Sequence, residues 1–172
     1  GAPHPRYVRD LQYADALIGD GWAVSALPGQ LGRVVENVPK GVDATRFSPE
    51  GSDLRRELGL DTAPVIVAVG RLVPIKNAGM LIDALPAVRA MVPRTKLLLV
   101  GEGPDKDRLA EQARQLGVAD SVVFTGFVPN EQLAPYYRSA DVFALPSEFD
   151  NSPNVVLEAM SAGLPVIATN VG

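Results

Sequence analysis

Pro64-Val-Ile-Val-Ala-Val-Gly-Arg-Leu72 opens on a proline, runs through five apolar and mostly β-branched residues, and leaves through a glycine into an arginine. A run of that length and composition reads as a strand buried on both faces, as in a parallel sheet. The pattern recurs at Lys96-Leu-Leu-Leu-Val100, Ser121-Val-Val-Phe-Thr125, Asp141-Val-Phe-Ala-Leu145 and Pro165-Val-Ile-Ala-Thr169. Helical stretches fall between them: Lys76–Met91, Asp105–Leu116 closed by Gly117, one near Glu131–Ser139, and one entered at Pro153. In the first, Met80, Leu81, Ala84, Leu85 and Val88 have helical spacing, and Pro86 predicts a kink or an irregular turn. Five strands alternating with four helices predict an α/β fold with a parallel sheet flanked by helices on both faces.

Upstream the pattern is looser. Tyr13–Ile18 leads into a short strand, Trp22–Leu27 reads as a helical turn stopped by Pro28-Gly29, and Val34–Val38 reads as a second short strand. Ser52–Leu58 reads as a short amphipathic helix ended by Gly59. The expected organisation is a terminal segment at 1–14, helical or frayed, and one domain over 15–172.

Composition narrows the chemistry. The 172 residues carry a net charge of −4 with basic residues scattered, Arg55-Arg56 being the one adjacent pair, so the electrostatic footprint of a nucleic-acid binder is missing. No cysteine is present, which removes disulfides, thiolate catalysis and thiolate metal sites. The one histidine, His4, sits in the terminal Gly-Ala-Pro-His, so a Ser/His/Asp triad is not available. No spacing of His, Cys and carboxylates suggests a metal site. No apolar run approaches the roughly 18 residues that cross a membrane.

In a parallel sheet, ligands bind at the carboxyl ends of the strands. Those ends are Gly70-Arg-Leu, Gly101-Glu-Gly-Pro, Gly126-Phe-Val-Pro, Pro146–Asn151 and Thr169–Gly172. Arg71 and Lys76 there offer two cations beside a helix start, a cradle suited to a diphosphate. Gly101-Glu-Gly-Pro has no third glycine at position 106, so it reads as a tight turn and not as a dinucleotide fingerprint. Asp105-Lys-Asp107 spells D-x-D, but acids in a first helical turn are expected from the helix dipole alone. Ser152 suits an N-cap and Pro153 the first helical position. Asp150 lies just before them, and Glu158 stands six positions past the cap, roughly 9 Å along the axis. Val155, Val156, Leu157, Ala159 and Met160 surround Glu158, so this acid faces either a cleft or a buried partner.

Gly70-Arg-Leu…Lys76, Gly101-Glu-Gly-Pro104, Gly126-Phe-Val-Pro129 and Asn154-Val-Val-Leu-Glu-Ala-Met-Ser-Ala-Gly-Leu-Pro-Val166 occur in that order. Together with Ala14-Asp-Ala-Leu-Ile18 and Pro39-Lys-Gly-Val-Asp43…Phe47, they resemble the donor-binding C-terminal domain of retaining glycosyltransferases with the GT-B fold, glycosyl transferases group 1. The resemblance implies a Rossmann-like domain that binds a nucleotide-sugar donor with no metal and no cofactor. Gly70, Arg71 and Lys76 would hold the diphosphate, Glu158 the ribose and Asp150 the donor sugar, with Arg71, Lys76 and Asp150 taking the catalytic part. The backbone of Asn151, Ser152, Pro153 and Asn154 would lie along sugar and phosphate, and the Phe127–Asn130 loop, with Phe127 and Val128, beside the base. Asp150 departs from the family's glutamate by one methylene, and Lys40 stands where asparagine is usual. The resemblance also implies an acceptor-binding N-terminal domain of the same enzyme, a chain that stops short at Val171-Gly172, and a cytoplasmic protein associated with the inner membrane face through the missing domain. Two other readings stay open: half of a GT-B-fold epimerase or sugar phosphorylase, and a non-catalytic α/β binding module.

Overall fold

The computed structural model describes residues 41–150 and 153–171, together with the backbone of two short strands, β1 (Leu17–Gly19) and β2 (Val35–Asn37). These two pair in parallel, Leu17 opposite Val35, close to where short strands are predicted. They belong to one compact unit, with which Asp150 and Pro153 are grouped, and Val42–Phe149 with Asn154–Val171 form the larger one. The expected turn at Trp22–Leu27 and the terminal segment 1–14 lie outside the described residues.

The larger unit alternates as the sequence predicts: β3 (Val65–Val69), α1 (Ala78–Met91), β4 (Lys96–Val100), α2 (Lys106–Gln115), β5 (Val122–Gly126), α3 (Ala134–Arg138), β6 (Val142–Leu145), α4 (Asn154–Ser161) and β7 (Val166–Ala168). All five strands are parallel, in the order β5-β4-β3-β6-β7. β3 is therefore central, and the chain leaves it first on one side and later returns to the other. That reversal between β3 and β6 opens a crevice at their carboxyl ends.

Side-chain alternation divides the core into two. Val65, Val67 and Val69 join Leu98, Val100, Phe143 and Leu145 against α3 and α4, with Tyr137 and Phe47 completely enclosed. On the opposite face Leu97 and Leu99 meet Ile82 and Leu85 of α1 and Leu109 and Ala113 of α2. Each large side chain so buried contributes about 1.5–3 kcal/mol, so both helical layers are held chiefly by this contact.

Several expectations need correction. Lys76 is not in the helix: Pro74–Lys76 form a 3-10 turn, and Asn77, with φ 49°, separates it from α1. α1 runs unbroken through Pro86. Its buried face is Ala78, Gly79, Ile82 and Leu85, whereas Met80 is 47% exposed. Apart from Asp83 and Arg89 the helix is apolar or glycine all round, which leaves a weak phase signal, and the predicted spacing fell on the neighbouring face. Ser52–Leu58 makes only a hydrogen-bonded turn, Leu58 N–H to the Leu54 carbonyl at 2.9 Å. Glu131–Ser139 resolves into a 3-10 turn at Asn130–Gln132 and the short α3. In α4, Met160 is 60% exposed and does not join the packing, while Ala159 is buried.

Gly101 is the tightest point. With φ 143°, a Cβ built there would lie 2.0 Å from the Gly70 carbonyl oxygen. The loops after β3 and β4 run against each other, Gly70 N–H donating to the Val100 carbonyl and Leu72 N–H to the Glu102 carbonyl, both at 2.9 Å. A side chain would separate them.

Two expected outcomes follow, both read by denaturant melts. Ile82→Ala should cost about 2–5 kcal/mol and Met80→Ala about 0.5 or less; equal costs would contradict the helix face. Gly101→Ala should cost about 3 kcal/mol or more, strain and overlap together, against about 1–2 for Gly59→Ala, whose φ is +63° with nothing within 4 Å.

Candidate functional site

The carboxyl edge of the sheet carries two adjoining hollows within the larger unit. One is a cavity of about 430 Å³ at the ends of β3, β4 and β5. Val69, Val100, Val128, Leu133 and Val155 make its apolar wall, and Gly70 and Gly101 bring backbone to its floor. Phe127 stands on its border, 73% exposed. Arg71, Glu102 and Asn130 supply the polar lining. The other is a narrow cleft of about 20 Å³ at the β3–β6 reversal, bordered by Arg71, Lys76, Ala78 and Pro146. It admits about one water, so a larger anion would lie across its mouth. Gly70 and Arg71 border both.

The loop carrying these cations is fixed from two sides. Lys76 and Asn77 spend their N–H groups on the Val73 and Pro74 carbonyls, at 3.0 and 2.9 Å. The expected helix-start amides at Lys76 are therefore used inside the turn. Glu148 N–H donates to the Ile75 carbonyl at 2.9 Å, tying the loop after β6 to the loop after β3 across the crevice. Leu72 accepts from Asp105 N–H at 3.1 Å, which holds the glycine turn beneath. The glycine pair thus serves close backbone approach, as its turn reading predicts. Asp105 is paired with Arg108 at 2.8 Å, and among the described residues no three of His, Cys, Asp and Glu gather as metal ligands.

Glu158 proves to be the buried acid of this edge, 6% exposed. Of the two alternatives left by the sequence, buried partners are found. Tyr137 Oη donates to Oε2 at 2.7 Å and Asn130 Nδ2 to Oε1 at 3.1 Å. Burial, and then the bond to Glu158, push the Tyr137 phenol far above its ordinary pKa, so it stays an O–H donor. Glu158 is not itself in the cavity wall. It stands one helical turn beyond Val155 and is joined to the wall through Asn130.

The structure thus brings Gly70, Arg71, Phe127 and Val128 to one cavity, sets Lys76 in the adjoining cleft, and connects Glu158 through a hydrogen bond. Asn154 begins α4 and is exposed. Asp150 and Pro153 belong to the other unit, and Asn151 and Ser152 lie outside the described residues. Sequence reasoning missed Glu102 and Leu133 in the cavity lining and Tyr137 as the partner of Glu158, and it named Asn130 only as the end of the loop after β5. Tyr137 gave no usable signal: Tyr136 precedes it, and a five-residue helix cannot show which of the two faces inward.

The sequence model of the family described as glycosyl transferases group 1 matches residues 63–172. The chain is 42% identical over 148 residues to the GDP-mannose-dependent alpha-(1-6)-phosphatidylinositol monomannoside mannosyltransferase of Mycolicibacterium smegmatis, covering 80% of this chain and 39% of that protein. It is 40% identical over 144 residues to the D-inositol 3-phosphate glycosyltransferase of Segniliparus rotundus, covering 80% of this chain and 32% of that one. The structure overlays on sucrose-phosphate synthase from Thermosynechococcus elongatus with a TM-score of 0.81 at 30% identity, covering 96% of this chain and 43% of that chain. Anabaena HepE in complex with UDP and glucose overlays with a TM-score of 0.82 at 26% identity, covering 100% and 51%. The chain therefore spans about two-fifths or less of these two curated relatives. Its parallel five-stranded sheet is half of a GT-B architecture, and the chain belongs to the glycosyl transferases group 1 family.

Proposed function

We propose that this chain is the donor-binding part of a metal-independent, retaining glycosyltransferase. It would take a nucleoside diphosphate sugar, whose glycosyl group passes to an acceptor held by an N-terminal domain of the same enzyme. One observation carries the reading: Arg71 borders both the apolar cavity and the Lys76 cleft. A nucleoside diphosphate sugar has that order of parts. The base and ribose suit the apolar cavity with its exposed Phe127 and Val128, and the diphosphate suits the stretch between the two cations.

The chemistry follows from charge. As the bond between the sugar's anomeric carbon and the β-phosphate oxygen breaks, negative charge grows on the leaving diphosphate. Arg71 and Lys76, held by the fixed loop, would stabilise that charge without reorganising. Glu158 would accept the ribose hydroxyls. The assignment of Asp150 to the donor sugar, and of Asn151, Ser152, Pro153 and Asn154 along sugar and phosphate, rests on the family resemblance, as retention does.

The relatives support the donor class more than the base: HepE is solved with UDP-glucose, and the Mycolicibacterium relative is named GDP-mannose-dependent. Among the described residues no helix is long and apolar enough to cross a membrane. A cytoplasmic location and peripheral association with the inner membrane face are part of the proposal, through the domain that binds acceptor.

Calorimetric titration of UDP, GDP and ADP tests this. At least one should bind, and Arg71→Ala should weaken it about tenfold or more, since the lost contact is charge-assisted, with the melting temperature unchanged. Phe127→Ala should weaken binding by about 1–3 kcal/mol if a base stacks there. Heat from none of the three at millimolar concentration, or unchanged binding to Arg71→Ala, would contradict the proposal.

A further inference from the structure

The donor reading leaves a question of orientation. A buried carboxylate grips a diol only if its free lone pairs face the cavity, and Glu158 is held by an ordered chain of side chains that decides which way they face. At the outer end, Arg46 Nη1 donates to Asn130 Oδ1 at 3.1 Å. That bond takes up the amide's oxygen, so its nitrogen must turn the other way, toward Glu158 Oε1. At the inner end, Tyr137 Oη holds Oε2. Its ring is completely enclosed, edge-on to Phe47 at 5.8 Å and tilted against Phe143 at 6.0 Å between centroids. The phenol therefore cannot follow the carboxylate if the carboxylate turns.

Resting on the donor reading above, we propose that Tyr137, with Arg46 acting through Asn130, are positioning residues for Glu158: they lock its carboxylate so that the remaining lone pairs meet a pair of vicinal hydroxyls, the ribose diol of the donor. A carboxylate has about four lone-pair directions, and two are occupied by the chain. Two suit a diol. Phe47 reaches Tyr137 through the turn at Asp43, whose carboxylate accepts from Thr45 Oγ1 at 2.6 Å and from Arg46 N–H at 3.2 Å. The same turn thus seats both ends of the chain, Arg46 outside and Phe47 inside.

The test compares two probes on the 172-residue chain: the tightest-binding of UDP, GDP and ADP, and its 2′,3′-dideoxy counterpart. The wild type should prefer the ribose form by about tenfold or more, and Glu158→Gln should lose most of that preference. Tyr137→Phe removes one oxygen and keeps the ring. It should cut the preference about fivefold while binding the dideoxy probe as the wild type does. Arg46→Met, at an exposed position where folding is not at stake, should cut it in the same sense. No ribose preference in the wild type overturns the ribose assignment and this proposal with it. A wild-type preference that Glu158→Gln removes, but that Tyr137→Phe and Arg46→Met both keep, overturns the positioning alone. Equal weakening of both probes in the variants also overturns it, because that is what a purely structural role would give.

Discussion

Two loops meeting backbone to backbone set the geometry of this edge. The Gly70–Leu72 segment after β3 hydrogen-bonds to Val100 and Glu102 after β4, and Gly101 has no room for a side chain beside the Gly70 carbonyl. Because β3 is the central strand, that seam also fixes Arg71 relative to the β3–β6 crevice. The cavity floor, the cation between the two hollows and the turn that carries Lys76 all depend on it. A parallel sheet supplies the edge in general; the glycines let its two loops meet backbone to backbone.

A second constraint comes from the core. Tyr137 is packed as a core aromatic, yet its one polar atom is committed to Glu158. An unpaired phenol or carboxylate at that depth would cost about 1–3 kcal/mol or more, so each needs the other. The pairing makes the Glu158 carboxylate an extension of the α3/α4 face of the core. Packing between Phe47, Tyr137 and Phe143 thereby acts on a side chain that is joined to the cavity wall through Asn130.

The strands were legible because burial on both faces demands unbroken apolar runs, and β3 and β4 match the predicted bounds residue for residue. Glu158 was legible because an acid among Val155, Val156, Leu157 and Ala159 needs a reason to be there. The α1 face was not, since Met80, Leu81, Ile82 and Leu85 satisfy more than one helical phase. The partners of Glu158 were not either: Asn130 and Tyr137 are 28 and 21 residues away in the chain, and only the crossover to β6 brings them to it. Local pattern reports burial well and says nothing of which distant polar atom will meet which.

On the proposed reading, one nucleoside diphosphate lies along this edge with Arg71 at its middle. A crystal structure of the chain soaked with UDP or GDP would test it most directly. The base should lie between Phe127 and the apolar wall, the ribose at Asn130 and Glu158, and the diphosphate across Arg71 toward Lys76. A nucleotide bound at the amino-terminal edge of the sheet instead, among Arg89, Arg94 and Lys96, would contradict it.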